Sequence, residues 1–277
     1  MGFYGTSILV TCRCDTSFGG TTSTNTDWSN TMKSNKTVIV TGASSGIGFA
    51  LAEAYLELGY NVVGNARTIE RLKLAADKLG NPHNFLLVAG DIALPATAAT
   101  LFDQAIAAFG KVDVLINNAG IFLAKAVADY TEADVNAIVS TNLNGFFYPS
   151  QAAAKHMSAN RDGHIITITA SIAMQPNVKV PALLPVLIKG GLNHATRGLA
   201  IELAASNVRV NAVAPGSIDT PLHGKDAGTQ AFLKTLAPNG AIGTTRDVVD
   251  AVLYLTNSTF TTGTVMVVDG GATAGTW

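Results

Sequence analysis

Residues 37–48 read Thr-Val-Ile-Val-Thr-Gly-Ala-Ser-Ser-Gly-Ile-Gly, an apolar run that passes directly into a glycine-rich loop. The run Thr37 to Val40 predicts a buried strand, because β-branched side chains fit a pleated sheet that is covered on both faces. An apolar helix is expected over Phe49 to Gly59. Glycines at such a junction allow a tight turn and let a pyrophosphate approach the N–H groups at the helix start. The stretch therefore predicts the first βα turn of a dinucleotide-binding fold.

Short apolar runs and longer helical patterns alternate along the rest of the chain from Lys36 onward. Alternation of this kind predicts parallel strands joined by helices that cover both faces of the sheet. The fold class is accordingly α/β, a single Rossmann-type doubly wound parallel sheet over residues 36–277. Further strands are predicted at 61–64, 85–88, 112–116, 164–169, 208–213 and 265–268, and further helices at 68–79, 96–109 and 187–205.

Composition narrows the class of protein. Hydrophobic residues make up 48%, charged residues 13%, and the formal net charge is −1. This balance offers no basic surface for nucleic acid or an anionic membrane, and no apolar run approaches the roughly 20 residues that span a bilayer. The two cysteines, Cys12 and Cys14, suggest neither a disulfide framework nor a metal site. We expect a cytoplasmic protein with a disordered N-terminal extension, residues 1–35, rich in Ser, Thr, Asn and Gly.

The loop Thr41 to Gly48 has the spacing G-x-x-x-G-x-G, and several other motifs follow it in order. Together they resemble the short-chain dehydrogenase/reductase family over about Lys36 to Gly271. The motifs are Asp91, Asn117-Asn118-Ala119-Gly120, Asn142 in Thr-Asn-Leu, Ser171, Lys189, Asn211 to Gly216 with Thr220, and Asp269-Gly270-Gly271.

The resemblance implies a nicotinamide cofactor and a set of residues that hold it. The second strand ends Gly-Asn-Ala-Arg, without the acid that would hold the ribose hydroxyls, and Arg67 could pair with a 2′-phosphate. We therefore expect NADP(H) to be preferred over NAD(H), the alternative being that Arg67 is a surface residue starting a helix. The expected contacts are Gly42, Ser44, Ser45, Gly46, Ile47, Gly48, Arg67, Asp91, Asn117, Gly120, Lys189, Pro215, Gly216, Ile218 and Thr220.

The family's catalytic set is an Asn, a Ser, a Tyr and a Lys. By resemblance, Asn142, Ser171 and Lys189 occupy three of these positions, and Pro185 stands where the proton-donating tyrosine is expected. No tyrosine occurs between Tyr148, interpreted as a packing residue, and Tyr254. Proline is tolerated in a first helical turn, and the apolar surroundings should disfavour the charged form of the lysine.

These expectations leave two classes of function open. The first is an NADP(H)-dependent oxidoreductase acting on a small organic substrate, either a ketone or alcohol or an activated imine or enone. The second is a catalytically impaired NADP(H)-binding sensor, scaffold or partner subunit. Residues 221–241 are predicted to form a mobile lid that contains His223, Lys225 and Asp226. We interpret each of the three as a solvated loop residue, the alternative being that it reaches the substrate. The resemblance also implies a homo-oligomer, a tetramer or dimer.

Overall fold

Seven parallel strands form one sheet in this computed structural model, which describes residues 36–275. The strand order is β3-β2-β1-β4-β5-β6-β7, as the sequence predicted for a doubly wound α/β fold. The predicted disordered extension, residues 1–35, lies outside the described residues. The strands are β1 Thr37–Thr41, β2 Asn61–Ala66, β3 Phe85–Ala89, β4 Val114–Asn117, β5 Gly163–Ile168, β6 Val208–Pro215 and β7 Val265–Val268.

Within residues 36–275, eight α-helices connect and cover the strands. A π-helical turn, Val139–Asn144, joins the fourth helix to the fifth, and a 3₁₀ turn, Ser171–Ala173, follows β5. The helices are α1 Gly46–Glu57, α2 Ile69–Lys78, α3 Pro95–Phe109, α4 Glu132–Ile138, α5 Gly145–Asn160, α6 Leu183–Leu203, α7 Ala227–Lys234 and α8 Thr245–Asn257.

Two helices begin earlier than their apolar patterns predicted. Helix α1 begins at Gly46 rather than Phe49, so the second and third loop glycines belong to its first turn. Helix α6 begins at Leu183 rather than Leu187, and Pro185 is its third residue. Proline has no N–H to donate, and the N–H groups of a first turn have no partner within the helix, so this start carries no penalty.

The side chains of each strand alternate between two core layers. In β1, Val38 and Val40 pack with residues of α1 and α8 on one face. Ile39 packs on the other face with residues of α3, α5 and α6. This explains why the strand is apolar at three consecutive positions, Val38 to Val40, rather than at every second one.

The strand order reverses direction at β1. This strand pairs with β2 on one side and with β4 on the other, so the connections after β1 and after β4 diverge to opposite faces of the sheet. In open α/β sheets the divergence leaves a crevice outside the carboxyl ends of the strands, where ligands bind.

No helix among residues 36–275 is long and apolar enough to cross a membrane. The same part of the chain holds no group of three or more His, Cys, Asp or Glu side chains placed to share a metal ion.

Candidate active site

A cleft of about 1100 Å³ opens at the carboxyl ends of the strands. It is lined by the loops that follow β1 to β6 and by residues of α7. Fourteen of the sequence-predicted site residues line it: Gly42, Ser44, Ser45, Gly46, Ile47, Arg67, Asp91, Gly120, Ser171, Lys189, Pro215, Gly216, Ile218 and Thr220. Gly48, Asn117 and Asn142 do not line it.

The glycine loop has the geometry of a phosphate cradle. Gly42 and Gly46 take φ angles of 70° and 55°, which favour glycine. A Cβ on Gly48 would lie 2.2 Å from the Gly42 carbonyl oxygen, so the helix can pass this close only without a side chain. The first turn of α1 has no acidic residue, and the Ser45 side chain does not cap it. The N–H groups of the helix start are therefore free to hold an anion.

A hydrogen-bonded clamp joins the ends of β1 and β4 beneath the loop. Thr41 Oγ1 accepts from the backbone N–H groups of Asn118 and Ala119, each at 3.0 Å. The Asn118 side chain donates back to the Thr41 carbonyl at 2.9 Å. The neighbouring Asn117 turns away, because its amide donates to Ser150 of α5 at 2.9 Å inside the core. Asn117 and Gly120 were both expected to contact the cofactor; Gly120 lines the cleft together with Asn118 and Ala119, and Asn117 does not.

Two arginines stand where the second strand ends. Arg67 and Arg71 are both exposed and both line the cleft. Asn65 is buried, and its amide donates to the carbonyls of Val88 and Gly90 at 3.0 and 3.2 Å, which ties β2 to β3. Sequence reasoning identified Arg67 but missed Arg71. A signal was present, because a cation in the first turn of a helix is disfavoured by the helix dipole unless an anion is nearby.

Side chains from two different elements, Asn142 and Lys189, lie next to Gly120 in the loop after β4. A Cβ built on Gly120 would lie 3.2 Å from Asn142 Oδ1 and 3.4 Å from Lys189 Nζ. Asn142, in the π-helical turn, accepts from the Ile121 N–H at 2.8 Å and donates to the Ile121 carbonyl at 2.9 Å. Its amide therefore braces the loop after β4. π-helical turns inside helices are frequent at functional sites.

The Lys189 ammonium is held at the floor of the cleft. Its side chain is buried, and Nζ donates to the Ile168 carbonyl at the end of β5 at 2.8 Å. Burial lowers the pKa of Lys189 from 10.5 to about 8, because removal from water penalises the charged amine. The sequence predicted this direction from the apolar surroundings of the helix start.

Ser171 lies in the 3₁₀ turn after β5, is buried, and lines the same cleft as the lysine. Pro185 is buried in the first turn of α6, one helical turn before Lys189, and does not line the cleft. None of the described residues lining the cleft is a tyrosine. Tyr148 is half-buried, with its ring packed edge-on against Phe147.

The predicted lid segment, residues 221–241, contains helix α7. Lys225 pairs with Asp219. Asp226 caps α7 by accepting from the Thr229 N–H at 2.9 Å. His223 differs from the predicted solvated loop residue, because it is half-buried, lines the cleft, and places Nδ1 2.9 Å from the Ile218 carbonyl.

Comparisons with known proteins agree with this geometry. The family described as "Enoyl-(Acyl carrier protein) reductase" matches residues 42–273. The chain is 34% identical to (2S)-[(R)-hydroxy(phenyl)methyl]succinyl-CoA dehydrogenase subunit BbsD of Thauera aromatica, over 86% of this chain and 96% of that protein. A short-chain type dehydrogenase/reductase from Mycobacterium marinum superimposes with a TM-score of 0.83 at 33% identity, covering 88% of this chain and 97% of that one.

Two further similar structures contain nicotinamide cofactors. The 3-ketoacyl-(acyl-carrier-protein) reductase from Brucella melitensis, complexed with NADH, has a TM-score of 0.79 at 28% identity, covering 86% of this chain and 98% of that one. ElxO with NADP bound has a TM-score of 0.81 at 29% identity, covering 87% and 99%. The chain belongs to the short-chain dehydrogenase/reductase family of oxidoreductases.

Proposed function

We propose that this protein is an NADP(H)-dependent oxidoreductase that transfers hydride to or from a small, uncharged organic substrate. One observation carries the proposal: Lys189, which lines the same cleft as the glycine cradle, meets Asn142 beside Gly120. The nicotinamide, when bound, supplies or accepts the hydride. A buried lysine fixed to a main-chain carbonyl would hold a hydroxyl-bearing ribose at the floor, while the first turn of α1 would hold the phosphates.

The preference for NADP(H) rests on Arg67 and Arg71. Both cations line the cleft where the end of β2 provides Asn65 and Ala66 rather than an acid. A guanidinium pairs well with a phosphate, whereas a carboxylate at this strand end would pair with ribose hydroxyls. Replacing both arginines with alanine should weaken NADPH binding by about 10- to 100-fold, because hydrogen bonds to a charged phosphate contribute roughly 1–3 kcal/mol. NADH, which lacks this phosphate, should bind with an affinity within a few-fold of that of the wild type. Equal loss for both cofactors would contradict the assignment.

An apolar wall supports an uncharged substrate. The segments after β4 and β5 and the lid present mainly aliphatic and aromatic side chains to the cleft: Phe122, Ile172, Val180, Leu222, Phe232, Leu233 and Leu236. Among the described residues lining the cleft, Lys189 lies at the floor, and the remaining Lys, Arg and Asp side chains, Arg67, Arg71, Lys78 and Asp91, follow β2 and β3. Burying a substrate carboxylate or phosphate against the apolar wall would cost its hydration without a partner. We therefore infer ketones, alcohols, imines or enones without a second charge.

Pro185 gives weight to a second candidate function. We infer that it occupies the position of the family's proton-donating tyrosine, four residues before Lys189. Loss of a general acid typically reduces carbonyl reduction by about 10²–10⁴-fold. A protein so altered could bind NADP(H) as a sensor, scaffold or partner subunit without turnover.

NADPH oxidation in the presence of ketones, enones and a cyclic iminium salt separates the two functions. An oxidoreductase turns over at least one class, and Lys189→Ala reduces that turnover strongly. The exposed Lys155 of α5 provides the control, because Lys155→Ala should leave turnover unchanged. NADPH-dependent thermal stabilisation without turnover of any substrate would instead support the binding protein.

A further inference from the structure

The geometry points to His223 as the side chain that exchanges the substrate proton in this active site. The inference rests on the proposed function and assigns the step that a tyrosine would otherwise perform. Three observations support it: the ionisable groups that line the cleft, the hydrogen bond of the imidazole, and the partners of the neighbouring ionisable residues in the lid.

Few groups at the substrate end of the cleft can transfer a proton. General acids and bases in enzymes are usually His, Glu, Asp, Lys, Tyr or Cys. Among the described residues that line the cleft away from the ends of β2 and β3, these types are represented by Lys189 and His223. Lys189 Nζ is bonded to the Ile168 carbonyl and lies beside Asn142, so it is already positioned by the protein at the cleft floor.

The imidazole of His223 is fixed through one nitrogen. Nδ1 lies 2.9 Å from the Ile218 carbonyl, and since a carbonyl only accepts, Nδ1 carries hydrogen and donates. In the neutral ring the other nitrogen, Nε2, then holds the lone pair, and in the protonated ring it carries a proton that can be donated. A backbone carbonyl at Nδ1 is a common way of fixing the tautomer of a functional histidine.

Two of the other ionisable lid residues have structural partners. Lys225 is paired with Asp219, and Asp226 caps helix α7. The His223 side chain is half-buried and lines the cleft, with Nδ1 against the Ile218 carbonyl. Thr220, three residues earlier, lies against the glycine cradle, since a Cβ on Gly46 would be 3.4 Å from Thr220 Cβ. The segment carrying the histidine therefore begins at the cofactor cradle.

Reduction of a ketone adds one hydride to the carbonyl carbon and one proton to the oxygen. The carbonyl carbon of the substrate accepts a hydride from the reduced nicotinamide, and the π pair of the C=O bond moves to oxygen. That oxygen takes the proton from Nε2 of the His223 imidazolium, forming the alcohol. The neutral imidazole regains its proton from solvent, and oxidation of the alcohol runs the same transfers in reverse.

The kinetic test compares two substrates and two variants. His223→Asn keeps an amide N–H near the position of Nδ1 but removes Nε2, so the contact with Ile218 is retained. We expect kcat for the best ketone of the panel to fall by about 100-fold or more, and kcat for an iminium salt, which gains hydride without a proton, to change by less than about threefold. The control is His83→Asn, an exposed residue before β3, at the opposite edge of the sheet.

A chemical test needs no turnover. Diethyl pyrocarbonate acylates the neutral nitrogen of accessible histidines, and peptide mass mapping of the cofactor-free protein locates the adducts. We expect His223 to be acylated and to be protected by the alcohol product of that ketone, while His83 reacts equally with or without the alcohol. Ketone turnover that is unchanged in His223→Asn, or acylation of His223 that the alcohol does not slow, would overturn the assignment. A wild-type protein that reduces neither substrate would overturn the proposed function itself.

Discussion

Replacing Lys189 with methionine is expected to stabilise the cofactor-free protein while abolishing its function. The ammonium is buried, and desolvation lowers its pKa from 10.5 to about 8. Methionine is an unbranched side chain that fills a similar volume without a charge. A residue retained for binding and chemistry at a cost in stability gives opposite signs for the two measurements.

The size of the effect follows from the pKa. A fall from 10.5 to about 8 corresponds, at about 1.4 kcal/mol per pKa unit, to a penalty on the order of 3 kcal/mol for keeping the amine charged at neutral pH. Loss of the hydrogen bond to Ile168 opposes this by about 1–2 kcal/mol. We expect a net gain on the order of 1–2 kcal/mol, which raises the melting temperature by about 2–8 °C in a protein of this size.

The pH dependence checks the cause. Because the folded pKa lies below the unfolded value, the unfolded chain binds more protons between pH 8 and 10.5, and wild-type stability gains with pH across that window. Urea unfolding should therefore show the advantage of Lys189→Met constant below pH 8 and shrinking towards pH 10.5. Lys155→Met, at an exposed site on α5, should show no such trend. An advantage that does not change between pH 7.5 and 10.5, or a variant less stable than wild type, would refute the reasoning.

Three further predictions concern the scaffold. Gly48→Ala should destabilise the fold by about 1–3 kcal/mol and weaken NADPH binding, because its Cβ would lie 2.2 Å from the Gly42 carbonyl oxygen; calorimetric titration that finds unchanged affinity would contradict this. Gly191→Ala, within α6 and with open space around the added Cβ, should instead stabilise the fold by about 0.5–1 kcal/mol. Urea unfolding that finds the variant less stable than wild type would contradict this. Burial holds the pKa of His164 well below 6.5, so the unfolded chain gains a proton that the folded one does not, and stability should fall below pH 6.5 by up to about 1.4 kcal/mol per pH unit. His164→Gln should make the free energy of unfolding depend less steeply on pH between pH 6.5 and 5. If the variant and the wild type show the same pH dependence, groups other than His164 cause it.

Much of the architecture was predictable because it rests on local chemistry. The apolar strands and the glycine loop predicted a parallel sheet with a dinucleotide cradle, and the order of motifs indicated the family. The predicted starts of α1 and α6 were less accurate, because the spacing of apolar residues does not mark the first turn of either helix. The first turn of α1 begins in the glycine loop at Gly46, and that of α6 begins at Leu183 and accommodates a proline.

Within the site, sequence motifs identified residue types but not their directions. Asn117 and Asn118 are adjacent in the same motif, yet one donates into the core to Ser150 and the other clamps β1. Successive side chains of a strand point to opposite faces, so neighbours in sequence become neighbours of different elements. Arg71 was overlooked because its role depends on the path of α2 beside the cleft.

The sequence by itself determined the strand–loop–helix unit and the family. It also determined that Asn142, Ser171 and Lys189 are present while Pro185, rather than a tyrosine, stands four residues before the lysine. Only the tertiary structure decided that Asn142 and Lys189 meet beside Gly120. It also decided that His223, within the lid, lines the cleft instead of facing solvent. The physical reason is that turn and strand preferences act over a few residues. The burial of Lys189 and its hydrogen bond to the Ile168 carbonyl exist only after α6 packs beside the carboxyl end of β5.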